Sequence, residues 1–464
     1  MSNRLRDTIA AVATPQGAGG IAIIKISGPK AREILSRIFR PRRNAATGLA
    51  EFDHQRLTYG HIVHPQDGVL DEVLVAVMCS PKTYTTEDVV EINCHGGAVV
   101  TQDVLDLVIE QGVRPAEPGE FTRRAFLGGR INLTEAEAVI DLINAKTRKA
   151  ARAGLQRLNN GIADQITHLQ NLLMDILAEI EAYIDFDDDL EESLSITPLQ
   201  KKMASDILPE INALINSYRE GRILKDGLRL VIAGRPNVGK SSLVNRFLNQ
   251  ERVIVTAVPG TTRDIIEEMV DIEGLPVVIT DTAGIHHRPD PVEAIGIEKS
   301  EVAIANADLV LFMVDASKPL SPEDRKIYGQ IKRQDHLVVQ NKIDLCNGRT
   351  ALPNLEGLCS EWTVRVSALT GEGLERLKMK IVGRLGLGVD PDGGSIVVNL
   401  RQRKLLEAAR QHVDQACRHI GLTGEAELVA IEIKDALGAF QEILGHGVTP
   451  DVLDHIFKRF CIGK

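Results

Sequence analysis

The chain has 464 residues, which at roughly 150 residues per domain suggests about three domains. Hydrophobic residues make up 44% of the chain and charged residues 25%, a globular composition that excludes disorder or collagen-like structure for most of its length. The formal net charge of −10 excludes a uniformly basic nucleic-acid-binding protein, so any RNA contact needs a local patch or a partner's surface.

The cysteines and the apolar runs predict a cytoplasmic protein that does not contact a membrane. The six cysteines are scattered and form no Cys-x-x-Cys pair, so neither a zinc ribbon nor a disulfide framework is indicated. They suit a reducing compartment. The N-terminus lacks the apolar core of a signal peptide, and no apolar run approaches the roughly 20 residues of a membrane span.

Residues 1–123 have a mixed α/β pattern. Apolar runs at residues 21–26, 73–78 and 89–94 predict strands, and His95-Gly96-Gly97 leads into a helical stretch at residues 99–111.

From about residue 124 the pattern becomes helical. Apolar residues at spacings of three and four predict one long helix that carries Leu155, Leu158, Ile162, Ile166, Leu169, Leu173, Ile176 and Ile180. The acidic run at residues 185–189 fits a solvated turn between helices better than a metal-binding loop. Further helix is predicted to about Arg222, which ends the first helical segment at residues 124–222.

Residues 223–387 alternate between apolar strands and helical stretches, which predicts a parallel sheet with crossover helices. The predicted strands are residues 228–233, 277–280, 309–314 and 337–340. Residues 388–464 return to helix. We therefore infer that an α/β domain is inserted into one helical domain, whose two parts are residues 124–222 and 388–464.

A phosphate-binding motif follows the first strand of this α/β domain. Residues 234–241 read G-x-x-x-x-G-K-S, with a strand before them and a helix after. Its glycines let backbone N–H groups converge on phosphate oxygens, and the helix N-terminus adds a positive dipole end. Lys240 supplies a cation to the β and γ phosphates, and Ser241 offers a hydroxyl to Mg²⁺. The predicted nucleotide-binding residues of this loop are Asn237, Val238, Gly239, Lys240, Ser241 and Ser242.

Three further motifs follow in the order that a guanine nucleotide site requires. Thr262 completes a Mg²⁺ shell once γ-phosphate is bound, and Asp281-Thr282-Ala283-Gly284 provides a carboxylate for the metal and an N–H for that phosphate. In Asn341-Lys342-Ile343-Asp344, the Asp344 carboxylate can accept both N1–H and N2–H of guanine, which adenine cannot match. Ser367-Ala368-Leu369 supplies a backbone N–H for guanine O6.

With its flanks, this segment resembles the G domain of Ras-like GTPases, and nearly the whole chain resembles the MnmE (TrmE) family of tRNA-modification GTPases. The resemblance rests on residues 13–28 (ATPQGAGGIAIIKISG), 95–97 (HGG), 118–143 (PGEFTRRAFLGGRINLTEAEAVIDLI), the G domain and the terminal CIGK. It implies a multidomain α+β and α/β fold, with a folate-binding N-terminal domain, an all-α domain and an inserted P-loop GTPase domain.

The resemblance also implies how GTP hydrolysis is catalysed. Ile285 occupies the position of the water-orienting Gln in Ras-like switches and cannot hydrogen-bond to water. The family uses K⁺ instead, with ligands that match Asn237, Thr256, the Val258 carbonyl and Thr261. Glu293 matches the family's water-activating carboxylate. The implied nucleotide contacts of this segment are Thr256, Ala257, Val258, Pro259, Gly260, Thr261 and Thr262, and the catalytic candidates are Lys240, Glu293 and Cys461.

A folate site and a dimer are implied for the N-terminal domain. The family's site for a 5,10-methylene- or 5-formyl-tetrahydrofolate maps onto Lys25, Glu91, Arg130 and Lys464. A carboxylate suits the adjacent N–H donors of a pterin, and cations suit the anionic folate tail. The tail residue Cys461 is expected to have a functional role, without evidence from the sequence for nucleophilic chemistry.

The implied function is a K⁺-stimulated GTP hydrolase that takes part in tRNA modification. With an FAD-dependent partner of the MnmG (GidA) type, in a heterotetramer built on a homodimer, the family adds a carboxymethylaminomethyl or aminomethyl group to C5 of the wobble uridine of certain tRNAs. Two other hypotheses remain open at this point. One is a ribosome-assembly GTPase of the Era or double-G-domain type, and the other is a helical scaffold whose oligomeric state is controlled by GTP.

Overall fold

The structure is a computed structural model that describes residues 7–15, 17–42, 54–159, 161–186, 197–251, 268–281, 302–346, 362–385, 397–422 and 425–464. The chain divides into two compact units. The first contains Met1–Ile140, Ala163–Leu177 and Lys434–Lys464, and the second contains Asp141–Ile162 and Ala178–Ile433. Among the helices of these described ranges, none has both the length and the apolar character needed to cross a membrane.

The first unit is built on a seven-stranded sheet. Its strands are β1 (Ile9–Val12), β2 (Ile21–Ser27), β3 (Phe39–Pro41), β4 (Leu57–His64), β5 (Gly68–Met78), β6 (Val89–His95) and β7 (Arg114–Pro115). The spatial order is β3-β4-β5-β6-β2-β1-β7, and only β1 and β7 pair in parallel. All three strands predicted for residues 1–123 are present.

Two helices, α1 (Ala31–Ile38) and α2 (Ala98–Glu110), cover one face of this sheet. Alternate residues of the strands point into the core beneath them, for example Ile24, Ile92 and Val75, each fully buried. The residues that alternate with these along each strand have their side chains on the opposite face of the sheet. Lys25 pairs with Glu91 in the register of β2 and β6, so both side chains lie on the face that α1 and α2 leave uncovered.

The chain continues through helices α3 (Glu120–Leu127) and α4 (Leu133–Ile143), followed by α5 (Arg148–Leu158) and α6 (Gly161–Phe186). The prediction of one long helix that starts before Leu155 is therefore wrong. Asn159 is the C-cap of α5, with ψ of 41°. Leu155 is 48% exposed, whereas Ile162, Ile166 and the later apolar residues of the stripe are fully buried. Spacing alone cannot detect such a break, because α5 and α6 each keep a helical period.

Helices on either side of the α/β domain pack together. The first set is α7 (Thr197–Lys202), a π-helical turn at Met203–Ile207, and α8 (Leu208–Asp226). All three contact a helix at Leu400–Leu422, and the Gln200 Nε2 atom donates to the Cys417 carbonyl oxygen at 2.8 Å. The structure thus joins two segments whose packing the sequence left open.

The second sheet has six strands: β8 (Leu228–Ala233), β9 (Glu268–Ile272), β10 (Leu275–Asp281), β11 (Leu309–Asp315), β12 (His336–Asn341) and β13 (Thr363–Arg365). The order is β13-β12-β11-β8-β10-β9. All four predicted strands are present, but the sheet is not wholly parallel. β9 pairs antiparallel with β10. Glu273 and Gly274, both with positive φ, form the two-residue turn between these strands. Runs of apolar residues in the sequence do not predict this hairpin.

The remaining α-helices within the described ranges are α9 (Lys240–Glu251), α10 (Pro322–Ile331), α11 (Leu374–Arg384), α12 (Leu400–Leu422), α13 (Ala426–Leu444) and α14 (Pro450–Phe457). In the first unit, Leu453 and Phe457 of α14 and Phe460 just after it pack against Leu133 and Ala136 of α4. This contact holds the C-terminal residues against α4.

Ion pairs connect α8 to the edge of the second sheet at which its parallel strands begin. Arg222 pairs with Asp308, which also accepts a hydrogen bond from the Arg229 N–H at 2.9 Å. Arg219 and Arg384 both pair with Asp335, at 3.5 and 3.1 Å. Gly227, with φ of +90°, joins α8 directly to β8. The helix is therefore fixed to this edge by both the backbone and side chains.

Candidate functional site

The phosphate-loop motif lies between β8 and α9, at the carboxyl end of the sheet. Gly234 has φ of +157°, and a Cβ there would lie 2.4 Å from the Met313 carbonyl oxygen. Gly239 has φ of +100°, and a Cβ there would lie 2.2 Å from Asn341 Nδ2. Both glycines are thus required by close packing of the loop backbone, not only by its turn.

Lys240 and Ser241 begin α9, as the motif predicts. Lys240 is 7% exposed, and its Nζ donates to the carbonyl oxygens of Gly234 at 2.6 Å and Arg235 at 3.0 Å. The ammonium group therefore spans the loop that would surround a phosphate chain. Ser241 and Ser242 are exposed in the first turn of the helix, where a metal ion or phosphate can reach them.

Asn341 connects the phosphate loop to the segment at Ser367–Leu369. It is 2% exposed, its Nδ2 donates to the Val238 carbonyl at 2.8 Å, and its Oδ1 accepts from the Ala368 N–H at 2.9 Å. The neighbouring Lys342 donates to the Asn237 carbonyl at 2.7 Å. These bonds bring three motifs, far apart in sequence, into one site. Since Ala368 N–H is engaged by Asn341, a guanine O6 would have to share this donor.

Two carboxylates, those of Asp315 and Asp344, lie beside these contacts. Lys342 Nζ also pairs with Asp315 Oδ2 at 2.9 Å. Burial raises the pKa of Asp315, but hydrogen bonds from Ser317 and Lys342 outweigh it and hold the pKa below its ordinary value. Asp344 is exposed, and its Oδ1 accepts from the Ser367 hydroxyl at 2.6 Å, which fixes the direction of the carboxylate. Asp315 is a residue of this site that the motif search missed.

Several predicted residues lie outside the described residues. They are Thr256, Ala257, Val258, Pro259, Gly260, Thr261, Thr262, Thr282, Ala283, Gly284 and Glu293. The backbone of Asp281 is described as the last residue of β10. The Mg²⁺ and K⁺ ligand sets and the catalytic role of Glu293 therefore remain predictions.

The charged residues predicted for the N-terminal domain cluster around Tyr84. Lys25 Nζ lies 3.6 Å from Glu91 Oε1 and 5.7 Å from the centre of the Tyr84 ring. The Arg130 guanidinium lies 4.8 Å from the same ring, and its Nη1 donates to the Tyr84 carbonyl. Burial lowers the pKa of Lys25, and nearby Lys464 lowers it further against the opposing effect of Glu91. All four predicted residues thus surround one place in the first unit.

Aromatic residues complete this cluster, and the sequence analysis did not identify them. Phe121 is fully buried with its ring 5.6 Å from Lys25 Nζ, and the Tyr84 hydroxyl hydrogen-bonds with Thr122 at 3.0 Å. Aromatic faces beside a carboxylate and cations suit a flat heterocycle with an anionic tail. The one available signal was the position of Phe121 inside the PGEFTRR segment.

The C-terminal tail packs against the N-terminal domain close to this cluster. Gly463 has φ of +91°, and a Cβ there would lie 2.4 Å from the Val12 carbonyl oxygen. The Cys461 carbonyl accepts from the Gly119 N–H at 3.4 Å, while the Cys461 side chain is exposed. Within the described part of the chain, no group of three or more His, Cys, Asp or Glu side chains is arranged to hold a metal ion.

Two family models together match most of the chain. The family model described as "MnmE helical domain" matches residues 133–461, and that described as "GTP-binding protein TrmE N-terminus" matches residues 8–130.

Similar curated proteins share the full length of the chain. The tRNA modification GTPase MnmE of Heliobacterium modesticaldum is 44% identical over 99% of both chains. That of Carboxydothermus hydrogenoformans is 43% identical over 99% of this chain and 100% of its own. Among solved structures, a variant of Aquifex aeolicus Era has 30% identity, covers 39% of this chain and 65% of its own, and has a TM-score of 0.28. The chain therefore belongs to the MnmE (TrmE) family of tRNA modification GTPases, as the motifs predicted.

Proposed function

We propose that this chain hydrolyses GTP in its α/β domain and that this reaction serves the modification of the wobble uridine of tRNA. The observation that carries the proposal is the connection made by Asn341. It holds the phosphate loop, through Val238, against the segment that would contact guanine, through Ala368. A site in which these loops are fixed to each other suits a guanine nucleotide with its phosphates.

Each part of this site has a defined role in the proposed reaction. Lys240 neutralises the β and γ phosphates, Ser241 and Thr262 hold Mg²⁺, and Asp344 selects guanine. Bound Mg²⁺ and K⁺ would offset the charge that develops during phosphoryl transfer. Because Ile285 cannot orient a water molecule, Glu293 performs that task, with Asn237, Thr256, Val258 and Thr261 as K⁺ ligands.

The K⁺ role is tested by steady-state GTP hydrolysis in matched KCl and NaCl buffers. We expect turnover to be faster in K⁺ and the preference to disappear in Asn237→Gly, which removes the side chain but tolerates the positive φ of 64°. Asn237→Gly should still bind GDP. Equal rates in Na⁺ and K⁺ for the parent protein would refute the role of the cation.

The role of Glu293 is tested separately. Glu293→Ala is expected to lower turnover with little change in GTP affinity, because a group that activates water acts in the transition state. A large loss of affinity would assign Glu293 to binding or folding instead.

The charged cluster around Tyr84 is proposed to bind a tetrahydrofolate derivative. Glu91 would accept from the pterin N–H groups, and Lys25, Arg130 and Lys464 would contact the anionic tail. Calorimetry with 5-formyltetrahydrofolate should show binding that Glu91→Gln weakens by about tenfold or more. Glu72→Gln, an exposed carboxylate on β5, serves as the matched control and should bind as the parent does.

The same domain is proposed to form a homodimer. The sheet face that bears Lys25 and Glu91 also carries exposed apolar side chains, including Leu57 at 63% and Leu74 at 41% exposure. Light scattering should show that Leu74→Glu weakens the dimer. Met379→Glu, at an apolar position in the α/β domain that is 62% exposed, should not.

The biological role is tested by mass spectrometry of tRNA nucleosides. We expect deletion of the gene to remove carboxymethylaminomethyl or aminomethyl groups from C5 of the wobble uridine. The parent gene should restore them and Asp344→Asn should not. An FAD-dependent partner is proposed to supply the redox chemistry. Unchanged nucleosides in the deletion strain would contradict the role in tRNA modification while leaving GTP hydrolysis intact.

A further inference from the structure

A cleft in the second unit lies between α5, α8 and Val397, away from the phosphate loop. Its cavity volume is about 50 Å³, which is room for a small ion or a few water molecules. Small residues create this space: Ala145, Ala150, Ala153, Gly154 and Gly221 all line the cleft. A Cβ at Gly221 would lie 2.8 Å from the Val398 carbonyl oxygen, so a larger side chain there requires the backbone to shift. A Cβ at Gly154 would make a tight contact of 3.1 Å with Leu142 Cα.

Three charged side chains line this cleft. Arg157 pairs with Asp141, and Lys225 Nζ lies 2.7 Å from Asp141 Oδ1. Two cations therefore face one carboxylate, which leaves one positive charge uncompensated within the cluster. The side chain of Arg157 is 7% exposed, while that of Lys225 is 47% exposed. Arg157 is thus on the inner side of the cleft, and Lys225 is accessible from solvent.

The arginine is incompletely satisfied. Within the described residues, Nε and Nη2 of Arg157 are buried without a hydrogen-bond partner. A buried donor left unpaired costs about 1–3 kcal/mol, and more when it is charged, so such donors normally have a partner. A guanidinium presents its donors in a planar fork that matches the oxygens of a carboxylate or phosphate.

We propose that this cleft binds a small oxyanion, a phosphate or carboxylate group, between Arg157 and Lys225. The site shares no residue with the phosphate loop or with the cluster around Tyr84. Asp141 orients both cations and competes with the ligand for them.

The test uses the full-length protein saturated with a non-hydrolysable GTP analogue and Mg²⁺, so that the phosphate loop is filled up to the γ-phosphate position. Inorganic phosphate is titrated at constant ionic strength in one arm and acetate in the other, with binding followed by calorimetry. One saturable event per chain with a Kd near or below about 1 mM is expected. Saturation by phosphate alone or by acetate alone supports the site and identifies the group that it prefers. Failure of both anions to saturate at millimolar concentrations overturns the proposal.

Variants separate a ligand site from a purely structural ion pair. Arg157→Gln should abolish binding and Lys225→Gln should weaken it by about tenfold. Asp141→Asn should tighten binding several-fold because it removes the competing charge, a change that a structural role for Asp141 would not produce. Arg152→Gln, exposed on the same helix, is the matched control. Binding that is unaffected by both Lys225→Gln and Asp141→Asn would refute the assignment, even if Arg157→Gln does not fold.

Discussion

Replacement of Asn341 by alanine should weaken nucleotide binding because it disconnects the two loops of the site. The change removes two buried hydrogen bonds, to the Val238 carbonyl and from the Ala368 N–H. At about 1–1.5 kcal/mol each, the loss is about 2–3 kcal/mol. Since both loops must keep this arrangement to bind nucleotide, we expect GDP affinity to fall about 30- to 140-fold, measured with a fluorescent GDP analogue.

The adjacent Gln340 supplies a control on the same strand. It is fully buried, and within the described part of the chain neither polar atom of its side chain has a hydrogen-bond partner. Gln340→Met keeps the volume and removes an unsatisfied amide, so GDP affinity should stay unchanged and thermal stability should not fall. If Asn341→Ala bound GDP as tightly as Gln340→Met, the proposed connection between the loops would not contribute to binding.

Three further predictions concern other parts of the molecule. Asp344→Asn should weaken GTP binding by about tenfold or more and favour xanthosine triphosphate in competition assays; retained guanine preference would contradict its role. Burial raises the pKa of Asp7 and Glu120, but hydrogen bonds from Arg114 and Arg124 outweigh it and lower both values. Their contribution to stability should therefore be present above about pH 4.5 and lost as the pH falls through the lowered values, and Arg124→Met should reduce this acid dependence in circular dichroism. Iodoacetamide at mild alkaline pH should modify exposed Cys461 before buried Cys417, whose pKa burial raises to about 11, and peptide mass spectrometry would reveal the reverse order.

Local patterns were sufficient to predict much of the second sheet and the position of its motifs. The strand at residues 228–233 and the helix that starts at Lys240 agree with the sequence because apolar runs and a glycine-rich motif are local signals. The antiparallel strand β9 was missed because its hairpin depends on positive φ at Glu273, a residue type that rarely adopts it.

Contacts between segments that are far apart in the sequence could not be predicted from local patterns. Asp315 and Tyr84 belong to the two sites through tertiary packing, and no spacing rule places either of them there. The break after Leu158 was hidden because the stripe of apolar residues continues with helical spacing on both sides. The cleft at Arg157 likewise depends on small residues from two helices, which have no distinctive pattern in sequence.

The attachment of α8 to the second sheet couples the position of this helix to that of the sheet edge. Gly227 connects the helix to β8 without an intervening loop, and the pairs at Asp308 and Asp335 join its last turns to the ends of the neighbouring strands. A displacement of that sheet edge would tilt the far end of α8 and carry α12 with it, since the two helices pack together. The pairs at Asp335 are half exposed, so concentrated salt should loosen this linkage while leaving the apolar core of the sheet intact.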